Sequence, residues 1–387
     1  MFRPRRRWWI AGACLLAALA VALLVRPGAY VAEPRTTTLP QARVDLADAA
    51  FADWLAERAS DPGLAALRIT ALDSDVVAQS GAMQTDGTWT ASASVTWQYA
   101  GADPSPATVD LTVGLRTSGE DGDHVSVTGV TGPGRVPLWL AGPLTVTRTA
   151  TTLVATGSGI DHAAYAGWAA EAVRVVRRVI PDWNGPLVVE VPASSAALDA
   201  TLAADDGTYA NIAAVTASVD GSSRADSPVH VFVNPEVMSG LVASSAQIVL
   251  SHEATHAATG AVLTRSRPIW LTEGFADYVA LRDVDVPLST SAGQIAAVVR
   301  KDGVPGHLPD EDDFDASSDR FGAEYEAAWL AVVQLADDAG EGALVRFYDD
   351  VGAGAALGKA MRADIGYGVG TLTRKWQRRL SGLANQS

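Results

Sequence analysis

The chain has 387 residues, ample for two domains and a sizeable core. Its 29 Lys and Arg against 44 Asp and Glu give a net charge of −15, which argues against nucleic acid as a partner. The single cysteine, Cys14, excludes an intrachain disulfide, so packing and any bound metal must carry the stability.

Residues 1–30 read as a targeting segment. Arg3, Arg5, Arg6 and Arg7 precede an uncharged run from Trp8 to Val25, just long enough to span a bilayer. The basic flank should stay in the cytoplasm, leaving the later domains extracytoplasmic. A cleaved signal peptide is the alternative. However, Tyr30 stands two residues before the late small residue Ala32, a poor cleavage pattern, and Cys14 lacks a lipobox. The expectation is a retained single-pass anchor in the cell membrane, with the membrane as a partner through this N-terminal helix.

Pro34 and Pro40 flank a Thr run that reads as a linker. Val44, Ala47, Phe51, Trp54 and Leu55 then recur at helical spacing, and Asp61-Pro62-Gly63 ends that helix. From Thr88 the period becomes two. Trp89, Ala91, Ala93, Val95, Trp97 and Tyr99 alternate with polar residues, as do Val109, Leu111, Val113 and Leu115, and then Val125 and Val127. One helix and an antiparallel sheet make a small α+β domain over 31–155, which resembles the NTF2-like group. Its aromatic stripe reads as core. Residues 132–158, rich in Gly, Pro and Thr, hold the expected domain boundary near 155.

Ala163 to Ile180 predicts a helix stopped by Pro181, and Leu187–Val191, Tyr209–Ala217 and Val229–Val233 predict short strands. His230 reads as a packed strand histidine, not a ligand. Next comes Ser251-His252-Glu253-Ala254-Thr255-His256, an H-E-x-x-H pattern. On a helix, i and i+4 share a face, so His252 and His256 can both reach one Zn²⁺. Glu253 points about 100° around the helix, where it can take a proton from water. Ser244 or Ser245 is placed to cap the helix start, and Gly260 to end it.

A third histidine six residues beyond His256 is absent, since that position is Val262. Pro268 opens a second helix bearing Glu273 and Asp277 at i and i+4. Glu273 is assigned as the third zinc ligand. Asp277 is assigned as the outer carboxylate that receives the far N–H of a ligand histidine.

The H-E-x-x-H pattern followed by Trp270-Leu271-Thr272-Glu273-Gly274-Phe275-Ala276-Asp277-Tyr278 resembles the gluzincin metallopeptidases. These include thermolysin-like enzymes and membrane-alanyl-type aminopeptidases, and the closest likeness is to peptidase MA-like proteins. It is strong over 229–335 and weaker over 160–387. Sixteen residues separate His256 from Glu273, slightly fewer than in those relatives, and a G-x-M-E-N stretch is absent. That leaves exopeptidase specificity unsupported. The resemblance implies an edge strand at Asn211–Thr216 that holds peptide, with an ordinary core strand as the even alternative. It also implies a tyrosine donor to the oxyanion. Tyr325, fifty-two residues past Glu273, fits that place, and His307 is a weaker candidate.

Asp283–Ser291 reads as a polar loop, and the acidic run 310–315 as a solvated one. Phe321–Leu335 and 341–380 read as helical, the latter with a basic solvated face at Arg374, Lys375, Arg378 and Arg379.

The expected fold class is thus α+β: an N-terminal transmembrane helix (1–30), the small helix-plus-sheet domain (31–155), and a gluzincin-like catalytic domain (156–387) with a small sheet and a mainly helical lobe. The expected function is a membrane-anchored extracytoplasmic zinc metallopeptidase acting on peptide or protein substrates. A non-catalytic zinc-stabilised binding module at the cell surface is the alternative.

Overall fold

The computed structural model describes residues 41–80, 82–119, 123–132, 134–314 and 318–385. Helix α1 (Gln41–Ala59) buries Ala47, Phe51 and Leu55, spaced four residues apart, so they fall on one stripe. That stripe covers an antiparallel sheet of β1 (Ile69–Gln79), β2 (Thr88–Tyr99), β3 (Ala107–Ser118) and β4 (His124–Thr131), in that spatial order. Strand β2 alternates as its sequence requires: Trp89, Ala91, Ala93, Val95, Trp97 and Tyr99 are buried, and the residues between them are half-buried.

A short helix α2 (Leu138–Ala141) leads into a second sheet. Its strands are β5 (Leu144–Arg148), β6 (Thr152–Gly157), β7 (Leu187–Val191), β8 (Ala214–Ser218) and β9 (Val229–Val233), in the order β5-β6-β7-β9-β8. Helix α3 (His162–Val179) makes the crossover between the parallel strands β6 and β7, and α4 (Ser195–Leu202) follows β7. The domain boundary expected near 155 falls inside β6. Both faces of β6, β7, β8 and β9 are covered, so these strands are buried almost throughout, while β5 at the far edge is only half-buried. Leu153, Ala155, Val188, Val215 and Phe232 pack with Trp97 and Trp139 in one core, while Val154, Val189, Val231 and Val233 pack with helices in the other.

The remaining chain is helical: α5 (Pro235–Met238), α6 (Ala243–Thr259), α7 (Ile269–Leu281), α8 (Leu288–Ser291), α9 (Gly293–Asp302), α10 (Phe321–Ala339), α11 (Glu341–Gly352), α12 (Leu357–Ala360) and α13 (Val369–Ala384). Helices α7 and α10 meet at Gly274, where an added Cβ would stand 2.4 Å from the Ala328 carbonyl oxygen. The basic face of α13 is partly paired, Lys375 with Asp338 and Arg379 with Asp337.

A buried polar cluster joins the two sheets. His230 on β9 bonds through Nδ1 to Glu190 Oε1 on β7 at 2.9 Å, and through Nε2 to Asp103 Oδ1 after β2 at 2.9 Å. Asp103 Oδ2 also accepts from the Tyr99 N–H, and the Tyr99 ring stacks on His230 at 5.5 Å. Burial alone would lower the His230 pKa, but the two carboxylates raise it to about 9.

Four expectations are corrected. The fold is α+β with two sheets and many helices, but among the described residues no helix is long and apolar enough to cross a membrane. The expected transmembrane helix at 1–30 lies outside the described residues. The strand expected over Tyr209–Ala217 is only β8, because Tyr209–Ile212 form a turn closed by the Ile212 N–H on the Tyr209 carbonyl. The stretch 132–158 contributes two strands, β5 and β6, to the second sheet. One helical turn, α8, interrupts the polar loop at Asp283–Ser291.

Candidate metal centre

Helix α6 mixes small and apolar residues with Ser, Thr, His and Glu, yet it is buried from Ala246 through His256 except at Gln247. It begins at Ala243 with Val242 as N-cap and no side-chain cap bond, so Ser244 and Ser245 lie inside the first turn and do not cap it. Gly260 ends it in the left-handed region at φ 57°, its N–H bonding back to His256 and Ala257 carbonyls. Helix α7 starts after Pro268 and packs across α6, which brings Glu273 over the two histidines.

His252 Nε2 and His256 Nε2 are 3.0 Å apart, and Glu273 Oε2 lies 3.3 Å from each. A tetrahedral ion with bonds of 2.0–2.1 Å separates its ligand atoms by about 3.3–3.4 Å. The trio therefore has the spacing of three corners around one small ion. Its chemistry also fits. Neither Glu273 oxygen has a hydrogen-bond partner among the described residues, although both are buried. Leaving such groups bare is costly, and a cation removes the cost. Burial pushes the Glu273 carboxyl upward, but the adjacent imidazoles bring it down to about 2, so it stands as a carboxylate.

Asp277, one turn beyond Glu273, bonds His252 Nδ1 through Oδ1 at 2.7 Å. With the proton held on Nδ1, the Nε2 lone pair of His252 faces the trio's centre. His256 Nδ1 has no such partner among the described residues.

Glu253 is not part of the trio. Its Oε2 accepts from Thr216 Oγ1 on β8 at 2.7 Å, while its buried Oε1 has no hydrogen-bond partner among the described residues. Burial raises its pKa above the usual carboxylate range. Tyr325, on α10, sets its ring 6.4 Å from that of His252, with Phe314 and Phe321 edge-on against it. Burial, and then the charges of Glu273, Asp277 and Glu253, hold its phenol well above the ordinary value, so it stays protonated as a donor. His307 stands elsewhere. Its side chain is 65% exposed and lies 3.7 Å from both Asp310 and Asp313 on the surface loop.

Strand β8 is an edge of its sheet. Asn234 N–H bonds Ala213 O, and Val219 N–H bonds Pro228 O, so Ala213, Val215, Ala217 and Val219 turn their backbone groups toward β9. Ala214 and Thr216 therefore turn theirs outward, and no described residue bonds to them. The whole centre is shielded: exposure is 2% at His252 and His256, 1% at Glu253 and 0% at Glu273.

Sequence reasoning named the trio, Glu253, Asp277 and Tyr325, and the structure brings all six together. It missed the side chain of Thr216. The available signal was strand alternation, which puts Thr216 on the helix-facing side with Ala214. No family model matches this chain, and no curated protein matches it.

Proposed function

We propose that this chain is a zinc-dependent metallopeptidase of the gluzincin type. The observation that carries the reading is the convergence of His252 Nε2, His256 Nε2 and Glu273 Oε2 to within 3.3 Å, beside a Glu253 oxygen that no other described residue engages. His252, His256 and Glu273 would hold the zinc, which would supply Lewis acidity toward a scissile carbonyl and an attacking water. Glu253 Oε1 takes the proton of the attacking water and returns it to the leaving amine. Tyr325 donates its phenolic proton in a hydrogen bond to the developing oxyanion. Asp277 keeps His252 in the tautomer that offers Nε2. The outward N–H and C=O groups of Ala214 and Thr216 accept an extended peptide by strand addition.

The near-complete burial of the centre favours a second reading, a non-catalytic module that zinc stabilises, since structural zinc sites are closed. Zinc stoichiometry and digestion of a broad peptide library, measured on wild type, Glu253→Gln and Glu273→Ala, separate the two. The expected result is a zinc-loaded, active wild type; a zinc-loaded but inactive Glu253→Gln; and a Glu273→Ala variant that loses zinc. Full zinc retention in Glu273→Ala defeats the ligand assignment. A wild type that holds zinc and cleaves nothing leaves the structural reading standing.

A further inference from the structure

We infer that Thr216 is a positioning residue for the general base: its hydroxyl holds Glu253 Oε2 so that Oε1 is the oxygen that exchanges the proton. The inference rests on the metallopeptidase reading above, and it adds a residue that neither the motif nor the resemblance assigns.

Three observations carry it. Thr216 Oγ1 lies 2.7 Å from Glu253 Oε2 and 2.9 Å from the Glu253 backbone carbonyl, so its single proton sits between two acceptors of the same residue, with the carboxylate oxygen the nearer. Thr216 is 2% exposed, so its hydroxyl is shielded from bulk solvent. The two carboxylate oxygens are thereby made unequal: Oε2 has a donor and Oε1 has none among the described residues.

The geometry of the strand adds a second consequence. Thr216 sends its side chain to Glu253, while its N–H and C=O point away from β9, along the outer edge of β8. A peptide paired to that edge is placed relative to the same residue that sets the base. The side chain governs the proton transfer and the backbone governs the docking, so the two are separable by substitution.

The test uses the full chain with zinc restored and a peptide identified from the library digest. Thr216→Val keeps the shape and removes the hydroxyl; Thr216→Ser keeps the hydroxyl. Thr216→Val is expected to lower kcat by about 10²-fold, the scale of a base displaced by about an ångström. KM should stay within about twofold and zinc stoichiometry should be unchanged, because the β8 backbone and the trio are intact. Thr216→Ser should recover most of the turnover. Unchanged turnover in Thr216→Val, or a serine variant as impaired as the valine, overturns the inference. A crystal structure of each variant gives a readout independent of activity. The Glu253 carboxylate should leave its position in Thr216→Val and keep it in Thr216→Ser, and an unmoved carboxylate in the valine variant also overturns the inference. If wild type itself cleaves nothing, the metallopeptidase reading has failed, and the crystal structures alone decide whether the tether exists.

Discussion

Two buried histidine–carboxylate clusters lie on opposite faces of the five-stranded sheet, and they differ in how their bonds close. Around His230, both ring nitrogens meet a carboxylate at 2.9 Å, and Asp103 takes a backbone N–H on its other oxygen. That network is satisfied by its own protons. Around His252 and His256, four buried atoms have no hydrogen-bond partner among the described residues: Glu253 Oε1, His256 Nδ1 and both oxygens of Glu273. The residue types are the same, and so is the burial. The difference lies in polar atoms left unsatisfied, three of them carboxylate oxygens, which is what the proposed metal and substrate would engage.

The sharpest way to break this comparison is to swap the damage between the clusters. Replacing His230 by Leu should cost about 3–5 kcal/mol, because two buried carboxylates lose the cation between them. Chemical denaturation measures this, and zinc stoichiometry should not change. If His230→Leu releases zinc, the two clusters are not independent. The mirror change is Asp277→Asn, which leaves the trio but weakens the orientation of His252. It should weaken zinc affinity by about 10–100-fold, with zinc still bound at high concentration, as competition with a chelator can measure. Unaltered affinity would remove Asp277 from the centre.

Two smaller effects sharpen the contrast. The His230 pKa is raised in the fold to about 9, so its contribution is complete below the unfolded value and is lost as pH rises through about 9. Thermal unfolding between pH 6 and pH 10 should therefore show a decline in wild type that is flattened in His230→Leu. An equal decline in both would assign the effect to other groups. Last, Gly274→Ala sets a methyl against the Ala328 carbonyl and should destabilise by about 1–3 kcal/mol by prising α7 from α10. A neutral Tm would mean that the two helices slide freely.

What the sequence made legible follows the range of the interactions involved. Spacing of four along one helix was enough to pair His252 with His256, and of four along another to pair Glu273 with Asp277. Alternation over Trp89–Tyr99 specified β2, because one of its faces is wetter than the other. Strand β6 was hidden because both its faces are buried, so Thr152–Gly157 shows no alternation, and its flanking Gly and Pro residues read as a linker. The tie from Thr216 to Glu253 spans 37 positions, and that from Asp103 to His230 spans 127. No local pattern encodes such pairs. Ser244 and Ser245 misled for a simpler reason: the helix starts before them, and Val242 has no cap to offer.

The shared central sheet has a consequence for how the molecule comes apart. Leu153, Ala155, Val188 and Phe232 belong to one core, while their sequence neighbours Val154, Val189, Val231 and Val233 belong to the other. Neither core can be dissolved without stripping one side of β6, β7 and β9. Amide protons in these three strands should exchange with solvent only through whole-molecule opening, and melting should be a single cooperative event. A gene cut at residue 155 divides a strand that both halves need, so neither fragment should refold alone, whereas a cut before Leu144 leaves all five strands of the second sheet on one piece.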